Sequence, residues 1–227
     1  MATTAINVIA RTLTPFAYHS LMVQSGTATL PELISDRAVA FALAAGLGMT
    51  AARLALPPKD YLGHLAAMPW RTSVFITEEP NLLPPVVRRL NLDAEAGFQA
   101  KVASVAKRGN LKDFFYTQEV PLNQTFKGAI FGLEGFDPFE FAGENELVVR
   151  IGLHRNGMVL LKKSEKQEAP VRLNAHTAAM FRRELSVNRY CLHSLQLTPW
   201  MDLKVAAAEV SRWVDTGDSI EKAGGAQ

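Results

Sequence analysis

The chain has 227 residues, of which 48% are hydrophobic and 20% are charged, and its formal net charge is +2. This composition is typical of a globular domain with a sizeable core. The net charge is too small to indicate, by itself, that the partner is a nucleic acid. The sequence contains no run of about 18 apolar residues, so we expect no membrane span. We also predict no secretion signal, and the single cysteine, Cys191, favours a reducing cytoplasm.

The N-terminal part of the chain predicts a strand followed by a helix. Residues 5–13 alternate imperfectly between apolar and polar side chains and predict a strand that ends at Thr14-Pro15. Thr29 and Glu32 have the spacing of a capping box, so we expect the clearest helix to begin there. Its apolar stripe is expected to contain Leu30, Ile34, Ala38, Phe41 and Ala45, before Gly46 and Gly48 end the helix.

The rest of the chain predicts alternating short elements around a basic insertion at about 78–112. Three prolines break the start of this insertion, which interrupts the pattern of strands. The remaining elements are expected at 59–68 (helix), 70–77, 114–120 and 126–132 (strands), 148–163 (hairpin), 175–184 (helix capped by Asn174), 187–198 (strand) and 202–214 (helix). The order predicts an α+β fold with a ferredoxin-like βαββαβ core in a single domain, 1–227, with a disordered tail at 217–227.

The segment VVRIGLHRNGMVLLKK, residues 148–163, contains the strongest hairpin signal of the sequence. Asn156-Gly157 favours a two-residue type I′ turn, which would place Arg150 opposite Lys163. Arg150, Gly152, His154 and Lys163 would then share one face of the hairpin. Like charges in opposed positions repel one another. One interpretation is that the long basic side chains extend into water, which separates their charges. The other is that a polyanion neutralises the charges, and that Gly152, which has no side chain, leaves room for the backbone of the polyanion.

Charges are segregated along the chain. Residues 150–183 contain eight Lys or Arg against two acids, residues 88–112 contain six against two, and residues 134–146 contain five acids and no base. In the insertion the basic residues interleave with Phe98 and with the aromatic run 114–116. This combination is typical of single-stranded RNA recognition, because bases stack on aromatic rings while cations bind phosphates. The alternative is a set of solvated faces whose charges sum this way by chance.

Catalytic and metal-binding patterns are weak. The sequence has no phosphate-binding GxxxxGK[ST] motif and no HExxH, and its five histidines lack metal-ligand spacing. Cys191 and His193 are expected on one face of a strand, where a packed pair is favoured over a nucleophile and its base. His19, in a loop beside Tyr18 and Ser20, could act as a general acid or base on RNA. No partner for proton transfer is visible, which favours a role without catalysis.

The order of these segments over residues 5–200 resembles a known family. A first strand and loop precede the helix ELISDRAVAFALAAGLG, and a basic insertion, the segment FKGAIFG and a basic C-terminal part follow. The chain resembles the Cas-five family within the RAMP superfamily of CRISPR proteins, most closely the version in type IV effector complexes and next the type I-D subunit. The resemblance implies a ferredoxin-like, RRM-related core with a protruding thumb, mapped here to about 78–112.

The resemblance implies a non-catalytic subunit of a cytoplasmic antiviral ribonucleoprotein, with no cofactor, metal or membrane. Such a subunit binds the 5′ handle of the guide RNA, caps that end of the complex and contacts the first backbone subunit. Its partners would be the guide RNA, the backbone and large-type subunits and, indirectly, target DNA. The alternative is a metal-independent endoribonuclease that processes precursor guide RNA with His19 as general acid or base. The expected RNA-binding residues are His19, Ser20, Arg88, Arg89, Lys101, Lys107, Arg108, Lys127, Arg150, Gly152, His154, Arg155, Lys162 and Lys163.

Overall fold

The structure is a computed structural model. It describes residues 3–17, 20–23, 26–49, 61–89, 114–152, 157–166 and 168–213. The strands in these ranges are β1 Thr4–Thr12, β2 Ser20–Val23, β3 Gly26–Thr29, β4 Leu33–Ile34, β5 Trp70–Thr72, β6 Phe75–Ile76, β7 Val86–Arg89, β8 Phe114–Gln118, β9 Thr125–Gly132, β10 Glu146–Ile151, β11 Gly157–Lys163, β12 Arg189–Leu192 and β13 Leu195–Leu197. The helices are α1 Asp36–Gly46, α2 Tyr61–Ala67, α3 Pro138–Ala142, α4 Ala175–Met180 and α5 Leu203–Val210.

The main sheet is curled and antiparallel, with seven strands. Its order is β10-β11-β1-β9-β6-β4, and β5 also pairs with β9. The central strand β1 therefore lies between β9 and β11 and is antiparallel to both. A separate four-stranded sheet has the order β2-β3-β8-β7, and β12 and β13 form a hairpin. The molecule is thus a mixed α/β protein, consistent with the predicted α+β class.

The two faces of the main sheet differ in what covers them. Val8 and Ala10 of β1 are buried in the main hydrophobic core with Val39 and Leu43 of α1. We call this side the covered face. The opposite side is covered at one end by the C-terminal segment 169–213. There the side chain of Asn7 exchanges two hydrogen bonds with the backbone of Ala169, at 3.0 and 3.2 Å.

A buried arginine fastens the C-terminal segment to the sheet. Arg71 of β5, 2% exposed, donates hydrogen bonds to the carbonyl oxygens of Met68 and Trp70 at 2.8 Å and of Trp213 at 3.0 Å. Its guanidinium also lies 4.8 Å from the centre of the Phe181 ring. Burial of the charge lowers the pKa of Arg71 to about 10. Arg71 therefore stays protonated at neutral pH and holds three carbonyl groups together.

The predicted start of the first helix is wrong. Thr29 belongs to β3 and donates a hydrogen bond to the Gln118 carbonyl at 3.0 Å, so it caps no helix. The chain then forms β4, which pairs with β6 through Leu33 opposite Ile76. Only after β4 does α1 begin, with Ser35 at its N-cap position. Tertiary pairing of two apolar residues outweighs the local capping signal, and the buried stripe of α1 shifts to Val39, Ala40, Ala42, Leu43 and Ala44.

Several other predicted elements are confirmed in kind but differ in extent. Asn174 caps α4 as expected, since its side chain accepts a hydrogen bond from the His176 N–H. The apolar stripe of α5 is buried at Leu203, Ala206, Ala207 and Val210. Each of the predicted strands 70–77 and 187–198 is two short strands, β5 and β6 in one case and β12 and β13 in the other. Residues 90–112 of the predicted insertion and the predicted tail 217–227 lie outside the described residues.

Candidate nucleic-acid interface

The predicted register of the basic hairpin is wrong. In the structure, Arg150 pairs with Met158 rather than Lys163, and Val149 pairs with Val159. The partner of Arg150 is thus shifted by five residues, an odd number, so Arg150 shares its face with Lys162 and not with Lys163. Residues 153–156, which include the predicted face residue His154, lie outside the described residues.

Two glycines explain the observed register. Gly157 pairs with Ile151, and a Cβ at Gly157 would lie 2.5 Å from the Cβ of Phe16. Phe16 lies so close that only glycine fits at this position of the strand. Gly157 therefore has a packing role inside β11 and does not form part of a two-residue turn. Gly152 has φ +86°, and a Cβ there would lie 3.0 Å from the Ala17 carbonyl oxygen. The protein's own backbone occupies the space that we had expected a nucleic-acid backbone to use.

Lys163 belongs to the covered face, where it has a structural partner. It lies opposite Val8, and its Nζ is 2.7 Å from Oδ2 of Asp137. Asp137, whose side chain is only 8% exposed, is also the N-cap of α3 and accepts a hydrogen bond from the Phe139 N–H at 2.9 Å. The ammonium group lies 5.4 Å from the centre of the Phe139 ring. The prediction that Lys163 and Arg150 form one surface is therefore wrong.

The exposed end of the other sheet face carries basic side chains on four neighbouring strands. Ile9 of β1 lies between Lys127 of β9 and Lys162 of β11, directly opposite each of them. Because neighbouring strands are about 4.8 Å apart, the Cα atoms of the two lysines lie about 10 Å from one another. Arg11 follows two residues after Ile9 on the same face. Arg150 lies on the edge strand β10.

Apolar side chains lie between these cations. We define the open face as this part of the sheet, formed by Arg11, Lys127, Arg150 and Lys162 with Ile9, Val148, Met158 and Leu160. The four basic residues are all exposed, and so is Val148, whereas Ile9, Met158 and Leu160 are half-buried. The open face therefore combines exposed cations with exposed and half-buried apolar side chains. Exposed apolar area rimmed by polar groups is typical of an interaction site.

The carboxylates near the open face are weak competitors for its cations. Lys127 contacts Glu78 at 2.8 Å and Lys162 contacts Glu146 at 3.2 Å, but all four side chains are largely exposed. The hydrogen bond from Lys127 and its positive charge lower the pKa of Glu78, so this carboxylate is ionised at neutral pH. Exposed ion pairs of this kind contribute little to stability, because water screens both charges. A phosphate group can therefore replace either carboxylate at small cost.

The remaining two cations of the open face are less engaged. Arg11 donates one long hydrogen bond, 3.4 Å, from Nη1 to Oδ1 of Asn123. Arg150 makes no ion pair within the described part of the chain. Arg11 was not among the residues predicted from the sequence. The alternation of β1 is the signal that identifies it, because Val8 and Ala10 face the core and Ile9 and Arg11 therefore face the other way.

The base of the predicted thumb is an antiparallel strand pair. In β7, Arg88 and Arg89 lie opposite Phe115 and Phe114 of β8. The parallel pairing of β8 with β3 connects this arm to β2, where Ser20 lies opposite Thr29. The other predicted RNA-binding residues lie outside the described residues; they are His19, Lys101, Lys107, Arg108, His154 and Arg155.

The described residues offer little for metal or thiol chemistry. They contain no group of three or more His, Cys, Asp or Glu side chains that could hold a metal ion. The predicted shared strand for Cys191 and His193 is wrong, because β12 ends at Leu192 and His193 lies in the following turn. The His193 ring instead packs against His176, with 5.2 Å between ring centres. Burial raises the pKa of the Cys191 thiol, which keeps it protonated and a poor nucleophile.

Comparisons with known proteins leave the family open. A scan against models of protein families finds no match to this chain, and a search of curated proteins finds no significant match. Within the described part of the chain, no helix is long and apolar enough to cross a membrane.

Proposed function

We propose that the open face binds single-stranded RNA without cleaving it. The observation that carries this proposal is the placement of Arg11, Lys127, Arg150 and Lys162 on four neighbouring strands around exposed and half-buried apolar side chains. An exposed sheet face of this composition suits splayed RNA, since cations bind the phosphates while bases lie on the apolar surface. Net charge contributes little here, because the cations are concentrated locally.

We further propose that the protein belongs to the Cas-five family, as a subunit of a type IV CRISPR effector complex. The strand order supports a ferredoxin-like core. Such a unit has its first strand in the centre, between the third and fourth, and β1 lies between β9 and β11 with β5 and β6 on the far side of β9. In this assignment α1 is the first helix of the unit, and the short α3 with the added strand β10 takes the place of the second.

In such a complex the open face and the arm would act together on the guide RNA. The arm at β7 and β8 would carry the thumb, which contacts the first backbone subunit. The open face would bind the 5′ handle, and the subunit would cap that end of the complex beside the large-type subunit. Target DNA would be contacted only indirectly, through the guide. The distribution of cations on both elements supports this division of roles.

Direct binding measurements test the proposal. The full chain is titrated with a fluorescently labelled single-stranded handle RNA and with a double-stranded RNA of equal length, at several salt concentrations. We expect preference for the single strand, and weaker binding with a smaller salt dependence for the variants Lys127→Ala and Lys162→Ala. Lys204→Ala is a matched control, because Lys204 is also an exposed lysine paired with an exposed carboxylate, Glu168, but belongs to α5. Equal loss in all three variants would contradict the assignment to the open face.

The identity of the complex needs a second measurement. RNA that co-purifies with the protein from its native host is sequenced, and associated proteins are identified by mass spectrometry. We expect guide RNAs that share one 5′ handle, together with a repeated backbone subunit. Precursor guide RNA incubated with the protein in a chelator should remain intact. Cleavage that disappears in His19→Ala would instead establish the endoribonuclease, and random cellular RNA would contradict membership of an effector complex.

A further inference from the structure

A groove adjoins the open face at its edge. It runs between helix α1 and the edge strand β10 and has a cavity volume of about 380 Å³. This volume lies within the range of about 300–1,000 Å³ that is typical of small-molecule sites. Arg150 lines the groove and also belongs to the open face, so the two features are continuous. The other lining residues that matter here are Ala38, Phe41, Ala42, Ala45 and Val148.

The shape of the groove suits a flat apolar group. Ala38, Ala42 and Ala45 follow helical spacing, so α1 presents a row of small side chains to the groove. Phe41 forms part of the same wall, and its position is fixed by edge contacts with Tyr61 and His64, at 5.9 and 6.4 Å between ring centres. Small side chains beside fixed aromatic rings leave room for a planar ring.

The charge of the groove adds a second requirement. Arg150 is the only charged side chain among its described lining residues, and no carboxylate is among them. Arg150 is exposed and has no ion-pair partner in the described ranges. A ligand that places a planar ring between the alanines and an anion at the mouth would satisfy both features. A nucleotide has this composition, and Arg is well suited to bind its phosphate.

We propose that this groove receives one base of the RNA that crosses the open face, turned out of the strand, while Arg150 binds the adjacent phosphate. The inference rests on the proposed RNA-binding function and adds a site that reads one position of the RNA. Removal of a base from its stack costs free energy, which burial against the apolar wall offsets. The site would therefore be occupied at one defined position of the bound strand.

Abasic scanning tests the proposal. Single-stranded handle RNAs that each lack one base are titrated against wild type, against Ala45→Leu, which fills the groove, and against Ala208→Leu as control. Ala45 is partly exposed in α1 and Ala208 is exposed in α5, so both substitutions place leucine at accessible helical positions. We expect wild type and Ala208→Leu to lose about tenfold in affinity at one abasic position. Ala45→Leu should bind intact RNA about tenfold more weakly and be insensitive to that abasic position.

The outcomes separate the groove from the open face. If Lys127→Ala and Lys162→Ala weaken binding while Ala45→Leu binds as wild type does, the groove proposal is overturned and the RNA-binding function stands. The same holds if all abasic positions are equivalent, which would leave the groove to an apolar peptide. If only Ala45→Leu weakens binding, the open face is the part that fails. A nucleoside monophosphate that binds as tightly as the RNA would overturn the proposal in favour of a free nucleotide.

Discussion

The sharpest test of the structure uses two lysines that are adjacent in sequence but lie on opposite faces of β11. Lys162 belongs to the open face and opposes Glu146, whereas Lys163 belongs to the covered face and opposes Val8. We expect Lys162→Ala to weaken RNA binding and leave stability nearly unchanged. We expect Lys163→Ala to leave RNA binding nearly unchanged and to destabilise the fold. The two variants are of the same chemical type, so each is the control for the other.

The expected loss of RNA affinity follows from counterion release. A cation that binds one phosphate of a single strand contributes about 0.7 to the slope of log K against log salt. At 0.1 M salt, loss of one such contact lowers the association constant by 0.7 log units, or about fivefold. Lys162 should show this loss, measured by fluorescence anisotropy at four or more salt concentrations. Its ion pair with Glu146 is 3.2 Å long between exposed side chains, so its stability effect should be below about 0.5 kcal/mol.

The expected loss of stability in Lys163→Ala follows from Asp137. The variant removes a 2.7 Å hydrogen bond to a carboxylate that is 8% exposed, together with the contact with the Phe139 ring. Since Lys163 itself is two-fifths exposed, we expect a loss of about 1 kcal/mol. For a chain of this size that is a fall in Tm of about 2–4 °C, measured by thermal unfolding. Weaker RNA binding by Lys163→Ala, with Lys162→Ala unaffected, would refute the observed register and restore the two-residue turn.

Three further changes probe how the fold presents this surface. Gly152→Ala places a Cβ at φ +86°, so we expect a stability loss of about 1–2 kcal/mol in urea unfolding, and an unchanged midpoint would contradict the assigned backbone. Asn174→Ala removes the cap of α4 and a 2.8 Å hydrogen bond to the buried carboxylate of Asp36, so we expect the free energy of unfolding to fall by about 2–3 kcal/mol. Asn174→Asp should be no more stable than Asn174→Ala, because it places a second carboxylate beside Asp36. The hydrogen bond from Arg183 lowers the pKa of Glu209 in the folded state, so the stability that Arg183 contributes is present at neutral pH and lost as the pH falls below about 4.5. Arg183→Ala should therefore lower Tm at pH 7, and its difference from wild type should shrink as the pH falls below about 4.5. A pH-independent difference would contradict this pair.

The sequence predicted elements better than it predicted their pairing. The central strands, the cap at Asn174 and the stripe of α5 could be identified because their signals are local. The hairpin register could not, because the role of Gly157 depends on Phe16, which is far away in sequence and fills the space beside it. A strong local turn signal was thus overridden by a tertiary contact. A tertiary contact also explains why α1 begins later than predicted, because Leu33 and Ile34 pair with β6 before the helix starts.

The candidate site was predicted in composition rather than in geometry. Charge segregation identified Arg150 and Lys162, which the sheet brings together on the open face with Lys127 of the segment FKGAIFG. It also included Lys163, whose neighbour Asp137 is visible only once the strands are paired, and it omitted Arg11. Charge counts along a chain report how many cations a segment carries. They do not report which face each cation occupies, since that depends on the strand on either side.

The extent of the open face is set by where the C-terminal segment stops. Asn7, two residues before Ile9 on the same side of β1, is covered through its two hydrogen bonds with Ala169. Arg71 fastens the far end of that segment at Trp213. Beyond Asn7 no described element covers this side of the sheet, so Ile9 and the cations around it remain accessible. The hydrogen bonds of Asn7 and Arg71 thus fix the C-terminal segment over one end of the sheet, and the open face lies at the other end.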